Sequence, residues 1–314
     1  MHLLDSIKKA ISKIEASLKQ HYWHGEPPQQ WQDFFDDPNN TELSPHWSPG
    51  VKNATHVNQE APKNTTLDWY GIDNQEAFLK QKQSTSTFKF TEDNVKYTFN
   101  SYGYRGDEPV CDADVNILVC GDSHSFGVGL DDEQVWTARL KAMCQKEDKT
   151  INVINLSSPG ASNDHITRVL VCALQTMRPD FVLAQYTYPD RREVIWDNGI
   201  IWQLNAMIPD YVQQQAIDKF QSWFGTINDH HNAYNSNKNH MLLKSVCEAM
   251  QIDLHTWHAW HLHRYNRYLF DLMAKRDLAR DQKHFGPSTH ALMAQKVLTR
   301  IKKYSKHGSK YRDL

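Results

Sequence analysis

A serine at the end of an apolar run is the first group in this 314-residue chain that could do covalent chemistry. The run Val115–Cys120 has the composition of a buried parallel strand, and Gly121, Asp122 and Ser123 follow it directly. The glycines on either side, Gly121 and Gly127, permit a tight turn and the close approach of a substrate. A serine hydroxyl is a poor nucleophile until a base takes its proton, so Ser123 needs a partner elsewhere in the chain.

A base and a carboxylate lie together near the other end of the sequence. Asp281 precedes His284 by three residues, so one loop can present both side chains to the same crevice. In such a pair the histidine accepts the proton of the serine, and the carboxylate orients the imidazole and stabilises its charged form. Ser123, His284 and Asp281 are therefore the candidate catalytic residues.

These motifs resemble those of the SGNH (GDSL-like) hydrolase superfamily, in outline over residues 115–300. The resemblance rests on Gly-Asp-Ser after a strand and on the C-terminal Asp-x-x-His. It implies that Ser123 is the nucleophile, His284 the general base and Asp281 the orienting carboxylate. It also implies an α/β fold, a flavodoxin-like three-layer α/β/α sandwich with five parallel strands, and chemistry that needs no metal or organic cofactor.

Two further blocks of that family bear on the oxyanion hole. The second block carries a glycine whose amide stabilises the oxyanion, and Gly160 in Asn-Leu-Ser-Ser-Pro-Gly matches it beside the amide of Ser123. The third block, Gly-x-Asn-Asp in the family, reads Gln-Tyr-Thr-Tyr-Pro-Asp-Arg here, which puts Pro189 at the Asn position. Proline cannot donate a hydrogen bond, so the third donor is absent or replaced. The candidate replacements are Asn163, Thr187, Arg191 and Arg192.

Polar residues around these motifs are candidates for contact with the substrate. The set consists of Asp122, His124, Arg105 and Arg191. Arg105 lies in Asn-Ser-Tyr-Gly-Tyr-Arg-Gly, which resembles a segment just upstream of the nucleophile strand in many family members. A structural role is the alternative for this arginine.

Strands and helices alternate from residue 115 onward, which predicts a central parallel sheet covered by helices. Such sheets place their chemistry beyond the carboxyl ends of the strands, where Ser123 and Gly160 fall. Apolar runs predict strands at 93–99, 115–120, 150–156, 181–186 and 251–256. Helices are predicted at 131–145, 164–177 and 288–304, and the stretch 195–250 is predicted to be mostly helical or looped.

The first 90 residues form a different kind of segment. Aliphatic residues recur at helical spacing near the start of the chain, at Leu4, Ile7, Ile11, Ile14 and Leu18. This helix either packs on its own domain or joins copies of the chain into a homo-oligomer. Residues 21–66 are rich in proline and aromatics and predict an irregular segment pinned to the main domain. We therefore expect an extension at 1–90 and a hydrolase-like domain at 91–314.

The composition argues against several classes of function. A net charge of −2 gives no general attraction to nucleic acid or to an anionic membrane. The five cysteines are scattered without a C-x-x-C pair, which supports neither a disulfide framework nor a zinc site. No run approaches the ~18 apolar residues of a membrane helix, and residues 1–20 do not read as a secretory signal. We therefore expect a cytoplasmic protein without nucleic-acid or membrane partners.

A dense group of histidines is the one motif that could suggest a metal. It comprises His255, His258, His261 and His263, interleaved with Trp257 and Trp260. No acidic residue or cysteine lies between these histidines to complete a ligand set, so a structural or surface role is favoured. The expected metal content is none.

The resemblance implies a serine esterase that works through an acyl-enzyme intermediate on a small ester. Tryptophan-rich segments at 23–47 and 196–260 favour a carbohydrate ester among such substrates. Acyl transfer to a sugar or another alcohol would use the same three residues and is one alternative. The other alternative is a non-catalytic binding or assembly protein on the same fold, which the missing third-block Asn supports.

Overall fold

The computed structural model describes residues 52–53, 62–84, 88–110, 112–145, 149–195, 200–204, 228–258 and 277–305. All of them lie in the compact unit Leu43–Leu314. The predicted N-terminal helix, most of the aromatic segment 21–66, and His261 and His263 lie outside the described residues.

The strands of the described residues follow in chain order. They are β1 (Lys52–Asn53), β2 (Thr65–Leu67), β3 (Tyr97–Phe99), β4 (Val115–Cys120), β5 (Ile151–Asn155), β6 (Phe181–Tyr186), β7 (Arg192–Ile195), β8 (Ile200–Leu204) and β9 (Asp253–His258). The helices are α1 (Gln75–Ser84), α2 (Ser123–Phe126), α3 (Trp136–Cys144), α4 (Asn163–Thr176), α5 (Asp229–Ala249) and α6 (Pro287–Tyr304). Short 3-10 helices occupy Glu92–Asn94 and Asp132–Gln134.

Four parallel strands form the central sheet, in the order β5-β4-β6-β9. Ile117 pairs with Val153 on one side and with Phe181 on the other, so β4 lies inside the sheet. Every residue of β6 is buried, as expected for a parallel strand covered on both faces. The predicted α/β class is confirmed, with four parallel strands in the described part of the chain where the family resemblance implies five.

Helices cover both faces of this sheet and create two separate cores. Alternate strand residues point to opposite faces, so Ile117 and Leu118 enter different cores. On one face, α3 and α6 pack Leu140 and Val297 against the sheet. On the other face, residues of α4 and α5 such as Leu170 meet the sheet. The result is the three-layer α/β/α sandwich that the sequence predicts.

The element boundaries differ from the sequence predictions at a few places. The strand expected at 251–256 begins at Asp253, because Gln251 has a positive φ of 59° that no strand residue adopts. The segment expected as a strand at 93–99 opens with a 3-10 helix and becomes a strand only at Tyr97. In the stretch 195–250, the structure has the strand β8, which pairs antiparallel with β7 just before it and which the sequence analysis did not predict.

The part of the extension that the structure describes packs against α2 and β3. Strand β2 pairs antiparallel with β3, and Leu67 and Tyr70 contact an aromatic cluster that contains Tyr97 and Phe126. The boundary predicted at residue 90 stays a prediction, and residues on both sides of it share this cluster. Among the described helices, none is both long and apolar enough to cross a membrane.

Candidate active site

Ser123 is the first residue of α2, immediately beyond the carboxyl end of β4. Asp122 caps this short helix, its carboxylate accepting a hydrogen bond from the backbone N–H of His124 at 3.0 Å. Gly127 ends the helix with φ 83°, a left-handed conformation that favours glycine. The local sequence thus turns the chain sharply and places the serine at the edge of the sheet, where a parallel fold carries its chemistry.

The three candidate catalytic residues meet at this edge. The Oγ of Ser123 lies 2.8 Å from Nε2 of His284, and Nδ1 of His284 lies 2.5 Å from Oδ2 of Asp281. The serine and the histidine are 161 residues apart in sequence. Exposure is 7% for Ser123, 9% for His284 and 4% for Asp281, so water has little access to the array.

Backbone groups hold Asp281 in the orientation that the imidazole needs. Its Oδ1 accepts hydrogen bonds from the N–H groups of Lys283 and His284 at 3.1 and 3.0 Å, which leaves Oδ2 for the ring. Burial raises the pKa of Asp281, but the hydrogen bonds from His284 and the attraction of its charge outweigh burial and lower the pKa below its usual value. Asp281 is therefore ionised at neutral pH and can stabilise an imidazolium.

His124 forms one wall of the site rather than part of the proton path. Its ring centroid lies 5.0 Å from that of His284 and 4.3 Å from that of Phe285. Burial lowers the pKa of His124 to about 4, so the ring is neutral at pH 7 and adds no charge beside the base.

The two backbone amides that the family resemblance assigns to an oxyanion hole belong to Ser123 and Gly160. Among the described residues, no group accepts a hydrogen bond from the N–H of Ser123 or from the N–H of Gly160. Gly160 has φ 79° in the turn that follows β5, and Ser158 of that turn donates to the carbonyl of Gly121 at 3.1 Å. The turn that carries Gly160 is therefore tied to the segment that carries the serine.

Asn163 and Thr187, the predicted replacements for a third donor, hydrogen-bond to each other and to the protein. The Oδ1 of Asn163 accepts from the backbone N–H of Thr187 at 2.8 Å, and its Nδ2 donates to Ser236 Oγ at 3.2 Å. The hydroxyl of Thr187 donates to Asp122 at 2.7 Å. The side chain of Asn163 thus joins the second-block and third-block loops, and the side chain of Thr187 joins the third-block loop to the segment that carries Ser123. The role of both residues toward substrate stays a prediction.

Asp122, which precedes Ser123 in the chain, is wholly buried and surrounded by hydrogen-bond donors. Besides capping α2, it accepts hydrogen bonds from Gln185 Nε2 at 2.9 Å, Thr187 Oγ1 at 2.7 Å and Arg191 Nη1 at 3.2 Å. Burial raises the pKa of Asp122, but the charge that His124 carries at low pH, the charge of Arg191 and the hydrogen bonds from Thr187 and the N–H of His124 lower it overall. The structure thus gives Asp122 internal partners on every side.

The guanidinium of Arg105 is occupied by protein acceptors. It donates to the carboxylate of Asp132 at 2.7 Å, to the carbonyls of Gly127 and Phe126 at 2.6 and 3.1 Å, and to two more carbonyls. These contacts engage all five N–H groups of the guanidinium. The geometry therefore favours a structural role for Arg105 over a contact with the substrate.

Arg191 differs from Arg105 because only one of its terminal nitrogens is engaged. Nη1 donates to Asp122, to Thr187 Oγ1 at 2.9 Å and to the carbonyl of Ala161 at 3.3 Å. In the described part of the chain, Nε and Nη2 have no acceptor, and the side chain is 16% exposed. Arg191 is therefore anchored between the neighbours of Ser123 and Gly160 with further donors to offer.

The sequence analysis missed the buried polar groups that hydrogen-bond to Ser125 of α2. Ser125 donates to Gln185 Oε1 and accepts from the indole N–H of Trp136 at 3.2 Å, while Asn155 donates to the carbonyl of Ser125 at 2.9 Å. One signal was present in the sequence, because Gln185 interrupts the otherwise apolar strand β6. A buried polar residue in such a strand needs a partner, and here the partner belongs to the nucleophile segment.

No cluster of three or more histidine, cysteine, aspartate or glutamate side chains that could hold a metal occurs in the described ranges. His255 and His258 lie on β9, where burial lowers the pKa of both and keeps them neutral. A cleft of about 580 Å³ runs along α3 past Arg105, Thr137 and Asn155, and the three candidate catalytic residues do not line it.

Neither a protein-family model nor a curated protein matches this chain. Among solved structures, it is similar to the psychrotrophic esterase EstA from Pseudoalteromonas sp. (21% identity, 60% of this chain and 98% of that chain, TM-score 0.35). It is also similar to TesA (19% identity, 60% of this chain and 98% of that chain, TM-score 0.34). A third similar structure is a variant of Axe2, an acetyl xylan esterase from Geobacillus stearothermophilus (15% identity, 60% of this chain and 95% of that chain, TM-score 0.29). At these identities and TM-scores the similarity says nothing about activity. The motifs around Ser123, Gly160 and His284 remain the features that resemble the SGNH (GDSL-like) hydrolases.

Proposed function

We propose that this protein is a serine hydrolase that cleaves an ester through an acyl-enzyme intermediate. The observation that carries the proposal is the buried array in which Ser123, His284 and Asp281 follow one another at 2.8 and 2.5 Å. Each atom stands where its chemistry requires, since the base reaches the hydroxyl and the carboxylate reaches the opposite ring nitrogen.

The proposed reaction has two halves. Nε2 of His284 takes the proton of Ser123 as Oγ attacks the ester carbonyl carbon, and Asp281 stabilises the resulting imidazolium. The tetrahedral intermediate collapses, and the alcohol leaves with the proton from His284. A water molecule then attacks the acyl-serine, again with His284 as base, and releases the carboxylic acid and the free Ser123.

The oxyanion of each half-reaction would be held by the N–H groups of Ser123 and Gly160. The third donor of the resemblance is missing because Pro189 occupies its place. We propose that Arg191 compensates, since its Nη1 contacts Asp122 and Ala161, the direct neighbours of the two amide donors. A positive charge at this place would favour the developing negative charge in a site that excludes water.

The substrate class is a small-molecule or carbohydrate ester. The carbohydrate preference rested on tryptophans, and one of them, Trp257, is buried in the core with its ring centroid 5.5 Å from that of Trp136. Trp257 therefore packs the sheet and offers no surface for a sugar ring. Trp23, Trp31, Trp47, Trp196, Trp223 and Trp260 lie outside the described residues.

The test is a comparison of substrates with wild-type protein and Ser123→Ala. p-Nitrophenyl esters of increasing acyl length and an acetylated oligosaccharide are supplied, with and without an added alcohol acceptor. Hydrolysis that disappears in Ser123→Ala supports the esterase, whereas acyl-alcohol product in excess of free acid supports the acyltransferase alternative. Absence of turnover of every ester by folded wild-type protein contradicts both and favours the binding-protein alternative.

A further inference from the structure

We propose that Asp73 is a positioning residue for the catalytic array and acts on it through Arg280. The inference rests on the proposed function, because it concerns the same serine, histidine and aspartate. Asp73 lies 50 residues before the nucleophile, in the part of the chain that the sequence analysis assigned to an extension.

Arg280 precedes Asp281 in the chain, yet its side chain points away from the catalytic array into the upstream segment. Nε donates to both carboxylate oxygens of Asp73, at 3.1 and 3.2 Å, and Nη2 donates to Oδ2 at 2.7 Å. Nη1 donates to the carbonyl of Glu92 at 2.8 Å, and the guanidinium carbon lies 3.9 Å from the ring centroid of Trp69. Both charged side chains are fully buried, so water cannot replace either partner.

A tyrosine extends this ion pair to the loop that follows the nucleophile helix. The hydroxyl of Tyr97 donates to Oδ2 of Asp73 at 2.5 Å and accepts from the backbone N–H of Gly129 at 2.8 Å. The carbonyl of Gly129 accepts from the backbone N–H of Arg280 at 2.9 Å. Asp73, Tyr97, Gly129 and Arg280 thus form a closed ring of hydrogen bonds, which we call the Asp73 ring.

The Asp73 ring joins the two loops whose separation sets the catalytic distance. On one side, Gly129 is two residues beyond Gly127, and the N–H groups of Gly127 and Val128 both bond to the carbonyl of Ser123. On the other side, Ala279 donates to the carbonyl of His284 at 3.0 Å and closes the loop that carries the base. A shift of Arg280 would therefore move the base loop relative to the nucleophile loop.

The two loops are closely packed against each other at Gly129. A Cβ placed on Gly129 would lie 3.1 Å from the backbone nitrogens of Arg280 and Asp281 and 2.9 Å from the Cβ of Ala279. Such tight packing transmits displacements rather than absorbing them. Removing the carboxylate of Asp73 would leave the guanidinium of Arg280 buried without its counter-charge, and relaxation of that side chain would carry Asp281 with it.

Two variants separate positioning from general stability. Asp73→Asn keeps the shape and removes the charge. The double variant Asp73→Leu/Arg280→Met removes the whole ion pair without leaving a buried charge, an exchange that proteins often tolerate. Glu193→Gln is the matched control, because Glu193 is a buried carboxylate paired with Arg168 at 2.7 Å and has no contact with the array in the described structure.

Three measurements are made on each full-length variant. They are the second-order rate of Ser123 modification by a fluorophosphonate, the downfield proton resonance of the His284 Nδ1–H to Asp281 hydrogen bond, and thermal unfolding. We expect both Asp73 variants to react about 10- to 100-fold more slowly than wild type and to shift or lose the resonance, since small misplacements of reacting groups are costly. Glu193→Gln is expected to melt at a lower temperature but to react at the wild-type rate.

The proposal is overturned if the folded double variant reacts at the wild-type rate and keeps the resonance. It is also overturned if Glu193→Gln slows the reaction as much as Asp73→Asn does, because general destabilisation would then explain both. Failure of the proposed function has a different signature, in which wild-type Ser123 does not react at all. In that case the proton resonance of the His284–Asp281 hydrogen bond alone tests whether Asp73 positions the array. Absence of this resonance from wild-type protein would contradict the positioning role.

Discussion

At the scale of single residues, the site depends on a carboxylate whose two oxygens have separate tasks. Oδ1 of Asp281 is bound by the N–H groups of Lys283 and His284, and Oδ2 faces the imidazole. The backbone bonds fix the carboxylate, and an ionised carboxylate can only accept a hydrogen bond, so the ring nitrogen that it contacts carries the proton. The other ring nitrogen is then free to accept the proton of Ser123.

We expect Asp281→Asn to lower kcat for ester hydrolysis by about 10³- to 10⁴-fold while the protein stays folded. An amide of nearly the same shape can orient its NH₂ toward the ring, which selects the tautomer that cannot accept the serine proton, and it has no charge to stabilise the imidazolium. Steady-state kinetics with a p-nitrophenyl ester measure the loss. A fall of less than tenfold would show that Asp281 is not the orienting group.

We expect Arg191→Met to lower kcat by about 10- to 100-fold with little change in KM, because the charge acts on the oxyanion of the transition state. Arg191→Lys should recover part of the loss, since it restores the charge without the fork of donors. Asp122 loses a charged partner in the methionine variant, so thermal unfolding is recorded beside the kinetics. A variant that changes KM alone would assign Arg191 to ground-state binding instead.

At the scale of elements, the candidate site is built where three loops meet near one edge of the parallel sheet. Strand β4 delivers Ser123, the turn after β5 delivers Gly160, and the loop before α6 delivers His284. Glycines with positive φ let these loops approach one another closely. The geometry is thus a property of loop packing more than of the helices and strands.

Gly129 offers a direct test of that packing. We expect Gly129→Ala to lower the free energy of unfolding by about 2 to 4 kcal/mol, since φ 76° disfavours a side chain and the new Cβ meets the base loop. Gly71→Ala is the matched control, because Gly71 has φ 61° but nothing within 4 Å of the position that a Cβ would take, so only about 1 kcal/mol is expected. Urea unfolding of both variants gives the difference. Equal losses would mean that the contact between the loops is not tight.

Local patterns of the sequence were enough to predict the sheet and to select three candidate catalytic residues that lie together in the structure. The apolar runs of β4 and β6 and the Asp-x-x-His spacing are short-range signals, and the structure brings Ser123, His284 and Asp281 together as those signals predict. The role of Asp73 could not be predicted, since its partner Arg280 is 207 residues away. The pairing of β7 with β8 was not predicted because the buried Glu193 of β7 is neutralised by Arg168, a partner that only the fold supplies.

At the scale of the whole molecule, several buried charges of the described residues pair with an opposite charge. Asp73 pairs with Arg280, Asp122 with Arg191, and Glu193 with Arg168. Two of these pairs join segments far apart in sequence, and such pairs are sensitive to the loss of either partner. The stability of the fold should therefore depend on pH through its buried carboxylates.

Glu193 makes this dependence measurable. Burial raises the pKa of Glu193, but hydrogen bonds from His165 and Arg168 outweigh burial and lower it from 4.5 to about 2. A carboxylate whose pKa is lower in the folded state stabilises above its unfolded pKa, and that stability is lost as the pH falls through the folded value. We therefore expect wild type to exceed Glu193→Gln by about 3 kcal/mol in unfolding free energy at pH 7. The gap should shrink between pH 4.5 and about 2 in denaturant titrations. A gap that is constant across this window would contradict the assignment.

The central claim is an activated serine, and the most direct test is covalent labelling by a fluorophosphonate followed by peptide mass spectrometry. Wild type, Ser123→Ala and His284→Ala are compared after circular dichroism confirms that each is folded. The account predicts stoichiometric modification of wild-type Ser123, none at that position in Ser123→Ala, and a rate at least about 10³-fold lower in His284→Ala. Folded wild-type protein that is not labelled, or is labelled at another residue, would contradict it.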